Sequence, residues 1–313
     1  MPCTSSVPPK SHALAGYAAC ALAGVLWGTG FYFGKIALTG MSVEHMVLYR
    51  FLFSCLVLAP LAVRHPARLA PRDWRALLLA ALLGVPVQFL VQFVGLSMTT
   101  VTHASLMVGS MPVLLAVAAT LFAHERVSPL GWLALAASSS GVVLIVLGGH
   151  AAATGGRGPS IFGDLLVVFS LMIALFWVLV NQRLVRRYPP VTISAYGLLT
   201  GTAMLAVWVV TIHGLPPVRG VARNVWLALA ASGVLCTACT TLLWNWGMRH
   251  VPASRAGIFM NLEPLVGSLL GVCLLGDRLS PVSWIGGVLI LGSAVVSTVH
   301  GHGQQEPLVG LTD

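Results

Sequence analysis

The chain has 313 residues, 57% of them hydrophobic and only 8% charged, with a mean hydropathy of +0.91. Soluble domains carry about 25% charged residues, so a water-soluble globular protein is excluded. With it goes the nucleic-acid reading that a net charge of +9 would otherwise invite. Apolar runs of about 20 residues recur along the chain, the pattern of repeated transmembrane helices. Open sheet edges would leave backbone groups unpaired in hydrocarbon. The expected fold class is therefore all-α integral membrane.

Ten spans are predicted, at roughly 13–38, 42–63, 76–98, 101–123, 129–149, 161–183, 191–213, 225–247, 253–276 and 281–299. A tail, 1–12, precedes the first span, whose apolar stretch is too long for a signal-peptide core. On that span Gly28, Tyr32 and Lys35 follow at i, i+4 and i+7, with Trp27 beside them. Lys35 lies near the outer end, where it can snorkel to the interface or meet substrate or a gate. Arg50 is placed deeper, in the second span, to attract a substrate carboxylate, pair with Glu263 or tether helices. In the third span Gln88 and Gln92 share one face with Gly95. His103 opens the fourth span and Pro112 sits in its middle.

A Gly- and Ala-rich linker, 150–160, follows the fifth span. Asp164 opens the sixth, where the helix macrodipole favours an acid, and Asn181 and Gln182 lie near its far end. The eighth carries Thr237, Thr240, Thr241, Trp244 and Asn245, a polar face matched to that of Gln88 and Gln92. Arg255 opens the ninth, which also holds Asn261, Glu263 and Pro264. An ionised acid at mid-membrane costs at least about 2.5–3.5 kcal/mol, so Glu263 is a coupling or substrate-binding candidate by default. Pro112 and Pro264 each remove a backbone donor and predict a kink or a broken helix lining a cavity. Gly267 and Gly271 form a GxxxG pattern suited to close helix contact. A polar tail, 300–313, ends the chain.

Lys and Arg set the orientation. With both termini cytoplasmic, the inside segments hold Lys10, Arg64, Arg68, Arg72, Arg75, Arg126, Arg183, Arg186, Arg187 and Arg249. The outside loops hold Arg157, Arg219, Arg223 and Arg278. The six cysteines do not form a disulfide framework, since all but Cys3 lie in apolar runs.

A shift of 152 residues lays PVLLAVAATLFAHERVSPLGW (112–132) over PLVGSLLGVCLLGDRLSPVSW (264–284). Pro112 meets Pro264, Arg126 meets Arg278, Ser128-Pro129 meets Ser280-Pro281, and Glu125 faces Asp277. Upstream, Gly95 meets Gly247, and His103 meets Arg255 as a mirrored gate or interfacial anchor. Five spans per half force the second half to enter from the opposite side, giving two inverted five-helix repeats, 13–149 and 161–299.

Two repeats that each end in P-x12-[ED]-R-x-[ST]-P resemble the EamA-type transporters of the drug/metabolite superfamily. WGTGFYFGK (27–35), YRF (49–51), GD (163–164) and LEP (262–264) add to the likeness. His124, where Gly276 stands in the second repeat, is a departure that bears only on a helix end. The resemblance implies export or exchange of small metabolites, often amino acids or related compounds, across a bacterial inner membrane. An amine near Glu263 and a carboxylate near Arg50 or Lys35 would suit an amino-acid-like solute. A lipophilic-cation exporter is the alternative, though the first span has no carboxylate; a non-transporting receptor or scaffold is the rival from another class. Proton coupling and a homodimer stay open.

No enzyme is expected. IFGD (161–164) lacks the first glycine of a GxGD protease motif, and HERVS (124–128) has Ser128 where HExxH needs histidine. CTAC (236–239) lies inside a span, where small packing residues explain it better than soft-metal ligation. No cofactor or resident metal is called for.

Overall fold

The computed structural model describes residues 10–64, 66, 69–111, 113–114, 129–152, 159–185, 187–251 and 257–300. Pro112, Arg255, Glu125 and Arg126 lie outside the described residues. Helix α1 is Lys10–Ala37, α2 Val43–Arg64, α3 Pro71–Met98, α4 Val101–Val108 and α5 Pro129–Ala152. Then come α6 Ile161–Val185, α7 Pro190–His213, α8 Arg223–Gly247, α9 Leu262–Leu275 and α10 Pro281–His300. The described residues include no strand.

Among the described residues, seven helices, α1–α3 and α5–α8, are long and apolar enough to cross a membrane. Phe259–Leu275 and Pro281–Val296 are shorter apolar helices, and the expected fourth span is described only to Leu114. Leu133, Val143, Phe169, Phe176, Leu269 and Val288 are exposed on the outer face, as a surface against lipid tails requires.

Helix ends follow local chemistry. Pro71, Pro129, Pro190 and Pro281 each stand first in a helix, where the missing N–H is no loss. Gly276, at φ 70°, ends α9 in the left-handed conformation that glycine adopts without strain. Thr100 caps α4 by accepting from the backbone N–H of His103 at 3.2 Å.

Two irregularities matter for the site. A π turn interrupts α3 at Leu83–Val87, around Pro86, and another interrupts α8 at Val234–Cys239. Moved by 152 residues, the first falls on 235–239. In packing, α1 lies against α8 and α9, α2 against α7, α3 against α6, α4 against α9, and α5 against α10. Each of these contacts joins an element before the linker to one after it.

Candidate functional site

The middle of α1 is the hub. A Cβ on Gly28 would sit 2.7 Å from the Glu263 carbonyl oxygen and 2.7 Å from Val266 Cβ, so the α1 and α9 backbones touch there. On another face, a Cβ on Gly30 would lie 3.7 Å from both terminal guanidinium nitrogens of Arg50. Between them Thr29 Oγ1 is 3.0 Å from Cys236 Sγ of α8. Next to Gly28 in sequence, the ring of Trp27 lies 5.2 Å from that of Trp244, tilted by 52°.

Arg50 is buried, 5% exposed. Its backbone is fixed because Gly233 of α8 leaves room for it: a Cβ there would lie 2.2 Å from the Arg50 carbonyl oxygen. Its Nε donates to Thr237 Oγ1 at 3.2 Å, and Thr237 donates to the Ser232 carbonyl, five residues back, at 3.1 Å. The π turn sets that i−5 spacing. The guanidinium carbon lies 5.0 Å from the ring centre of Phe89 and 5.3 Å from that of Phe93, in range for cation–π attraction. Its two terminal nitrogens donate to no described residue.

Glu263 is half-buried in the first turn of α9, where the positive end of the helix dipole favours a carboxylate. It makes neither a hydrogen bond nor an ion pair with a described residue. Arg50 and Glu263 attract one another, yet they are not paired. Two opposite charges from different ends of the sequence thus converge on α1 with bonding capacity to spare.

The other sequence candidates divide. Gln92 is buried and Gln88 half-buried on the α3 stretch that carries Phe89 and Phe93. Neither glutamine side chain hydrogen-bonds a described residue. Asn245 points elsewhere, donating to Ser194 Oγ of α7 at 3.4 Å. Tyr32 packs edge-on against Phe33 at 5.4 Å. Asn261 is the last residue of the 3-10 turn Gly257–Asn261.

Pro264 was expected in mid-helix and instead lies in the first turn of α9. The backbone interruption falls just upstream, where the 3-10 turn ends, because a proline is tolerated in a first turn and not farther in. Gly267 and Gly271 do make close contacts, facing Ser105 and Thr102 of α4.

Lys35 is not part of this group. Its ammonium donates to the Leu96 and Thr99 carbonyls, at 2.7 and 2.5 Å, closing the end of α3. His103 is fully buried rather than interfacial, with Nδ1 3.1 Å from Asp164 Oδ2. Asp164 is equally buried and also accepts from Thr99 Oγ1. Asp277 accepts from both N–H and Oγ1 of Thr102 at 2.9 Å. Phe89 and Phe93, flat beneath Arg50, had a signal in their i, i+4 spacing; the partnerships of Thr99, Asp164 and Asp277 had none.

The EamA-like transporter family matches residues 14–147 and, separately, 161–299. An uncharacterized transporter of Archaeoglobus fulgidus is 25% identical over 295 residues, covering 94% of this chain and 99% of its own. A protein of Streptantibioticus cattleyicolor described as a probable terminal-alkyne amino-acid exporter is 25% identical over 276 residues, 85% of this chain and 87% of that one. A crystal structure 20% identical in sequence has the same fold, with a TM-score of 0.62 over 92% of this chain and 98% of that chain. The family and these relatives are transporters, not enzymes. The chain belongs to the EamA-like transporter family.

Proposed function

We propose that this transporter is a secondary carrier of small zwitterionic metabolites, amino-acid-like in charge, working by alternating access. The observation that carries the reading is the unpaired couple at α1. Toward the described residues, Arg50 has free N–H donors over an aromatic floor and Glu263 has an uncommitted carboxylate. An arginine fork matches a carboxylate, and a mid-membrane acid matches an amine. Trp27 and Trp244 bound the apolar part of the cargo, and Gln88 and Gln92 offer further hydrogen bonds. Lys35 serves the end of α3 instead. The Streptantibioticus cattleyicolor relative's description as a probable terminal-alkyne amino-acid exporter supports the same class.

Ten spans in two inverted repeats, 13–149 and 161–299, underlie the cycle. The two separate family matches support this, as do the π turns related by 152 residues. Exchanging the halves turns α1–α8 into α6–α3 and leaves α2–α7, α4–α9 and α5–α10 as pairs, all of which pack. Pro264, beside Glu263, then serves as a hinge and His103 belongs to a moving end, with Pro112 and Arg255 as their counterparts in sequence. By charge bias, both tails face the cytoplasm of a bacterial inner membrane, and transport runs outward.

Counterflow in proteoliposomes tests this with labelled amino acids and one lipophilic cation. Wild type is expected to exchange an amino acid, and Glu263→Gln to lose exchange or its pH dependence. Exchange of the cation alone would replace the zwitterion reading; movement of nothing would remove it.

A further inference from the structure

Away from α1's midpoint, one membrane end carries a second polar cluster that the substrate site does not use. The junction of α3 and α4, from Thr99 to His103 in the first turn of α4, is gripped from three sides. From α1, Lys35 donates to the Leu96 and Thr99 carbonyls. From α6, Asp164 takes the Thr99 hydroxyl on one oxygen and faces His103 Nδ1 with the other. From beyond α9, Asp277 takes Thr102 N–H and Oγ1. Asp164 and Asp277 belong to the second half and the junction to the first, so this end cannot part without breaking these bonds.

Four groups with titratable side chains face one another here. They are Lys35 of α1, His103 of α4, Asp164 of α6 and Asp277 after α9; the end of α3 contributes only hydroxyl and carbonyl groups. Lys35 and Asp277 interact electrostatically. Lysine and two carboxylates leave one negative charge in excess, which a protonated imidazole would neutralise. The remaining ring nitrogen, His103 Nε2, is buried and has no hydrogen-bond partner among the described residues. Nδ1 is committed to Asp164, which leaves Nε2 as the open ring position.

We propose that His103 and Asp164 form a proton-binding latch that holds this end shut when His103 is protonated and loosens it when the imidazole loses a proton. Loaded, the imidazolium and Asp164 are an ion pair between the two halves. Unloaded, the cluster keeps an uncompensated buried negative charge, which favours parting and hydration. Imidazole is the side chain that makes this change near neutral pH. The device is separate from the charges at Arg50 and Glu263 and needs no cargo to operate.

Hydrogen exchange of the Thr99–His103 backbone in lipid nanodiscs, corrected for the intrinsic pH dependence of exchange, tests the latch without substrate. Protection in wild type should fall between about pH 6 and about pH 8, by up to about tenfold per unit if one proton controls opening. His103→Gln should abolish the step. Thr99→Val, which spares the His–Asp pair, should lower protection at both pH values and keep the step. His45→Gln, which changes a half-buried histidine bonded to Ser42 and away from this cluster, should leave it intact. A wild type without a step, or a step that survives in His103→Gln, would overturn the latch. A failure of the amino-acid reading in counterflow would not touch it.

Discussion

The two ends of the molecule use the same helix crossing and fill it differently. At one end α3 meets α6, where Cβ atoms on Gly95 and Gly163 would come within 3 Å of the opposing backbone. At the other, α8 meets α1, where Gly247 lies against Cys20 and Gly16, and Gly16 against Val251. Gly247 is Gly95 moved by 152 residues, and Val251 is Thr99 moved likewise. Around the first crossing lie Lys35, Thr99, His103, Asp164 and Asp277. Around the second, Cys20 and Val251 are buried among Tyr17, Trp244, Met248 and Phe259. Among the described residues, backbone contact is thus kept while side-chain chemistry is not. A polar end can exchange its bonds for water when it parts, whereas an apolar end exposes hydrocarbon surface and resists hydration. The two ends should therefore open under different controls.

The comparison breaks most readily at Asp164. Asp164→Ala leaves Thr99 and His103 facing a void, and loss of one partner from a buried pair costs about 3–5 kcal/mol, read as denaturant or thermal unfolding in detergent. No single side chain at the apolar end should match it. Packing should weigh alike at both ends. Gly95→Ala and Gly247→Ala are each expected to cost about 1–3 kcal/mol by overpacking, measured the same way, and a large inequality would deny the shared crossing. Asp277→Ala removes a cap from α4 and should cost about 1 kcal/mol, with faster hydrogen exchange confined to the first turn of α4. The smallest effect belongs to the pair of exposed Arg187 and buried Asp73, 3.3 Å apart, in which Asp73 also keeps its bond from the Tyr188 hydroxyl. Arg187→Ala should change stability by less than about 1 kcal/mol.

Helical class, family and the central candidates were legible because they depend on local signals. Apolar run length announces a span, and an acid or arginine within a run announces itself by its cost. Arg50 and Glu263 stand out this way, Trp244 through the 152-residue repeat and Trp27 beside the Gly28 face, and the structure brings all four to one stretch of α1. Partnerships were not legible. Asp164 lies 61 residues from His103 and 65 from Thr99, and nothing local distinguishes a latch residue from an acid at a helix start. Lys35 looked like a free cation because the two carbonyls it satisfies belong to another helix. Pro264 predicts a kink or a broken helix, and the place of the break was hidden because apolar periodicity runs straight through the 3-10 turn that precedes α9. The π turns escaped for the same reason: one extra residue in a turn leaves hydropathy unchanged, although it sets the Ser232–Thr237 bond beneath Arg50.

The most direct measurement is counterflow of one transported amino acid against two blocked forms, its amide and its N-acetyl derivative, in wild type, Arg50→Gln and Glu263→Gln. Each variant should be lost selectively on the group it no longer matches. Wild type should reject both blocked forms, Arg50→Gln should cease to discriminate against the amide, and Glu263→Gln should cease to discriminate against the N-acetyl form. If both variants reject both forms as wild type does, Arg50 and Glu263 do not read the two ends of the cargo, and the zwitterion site is wrong.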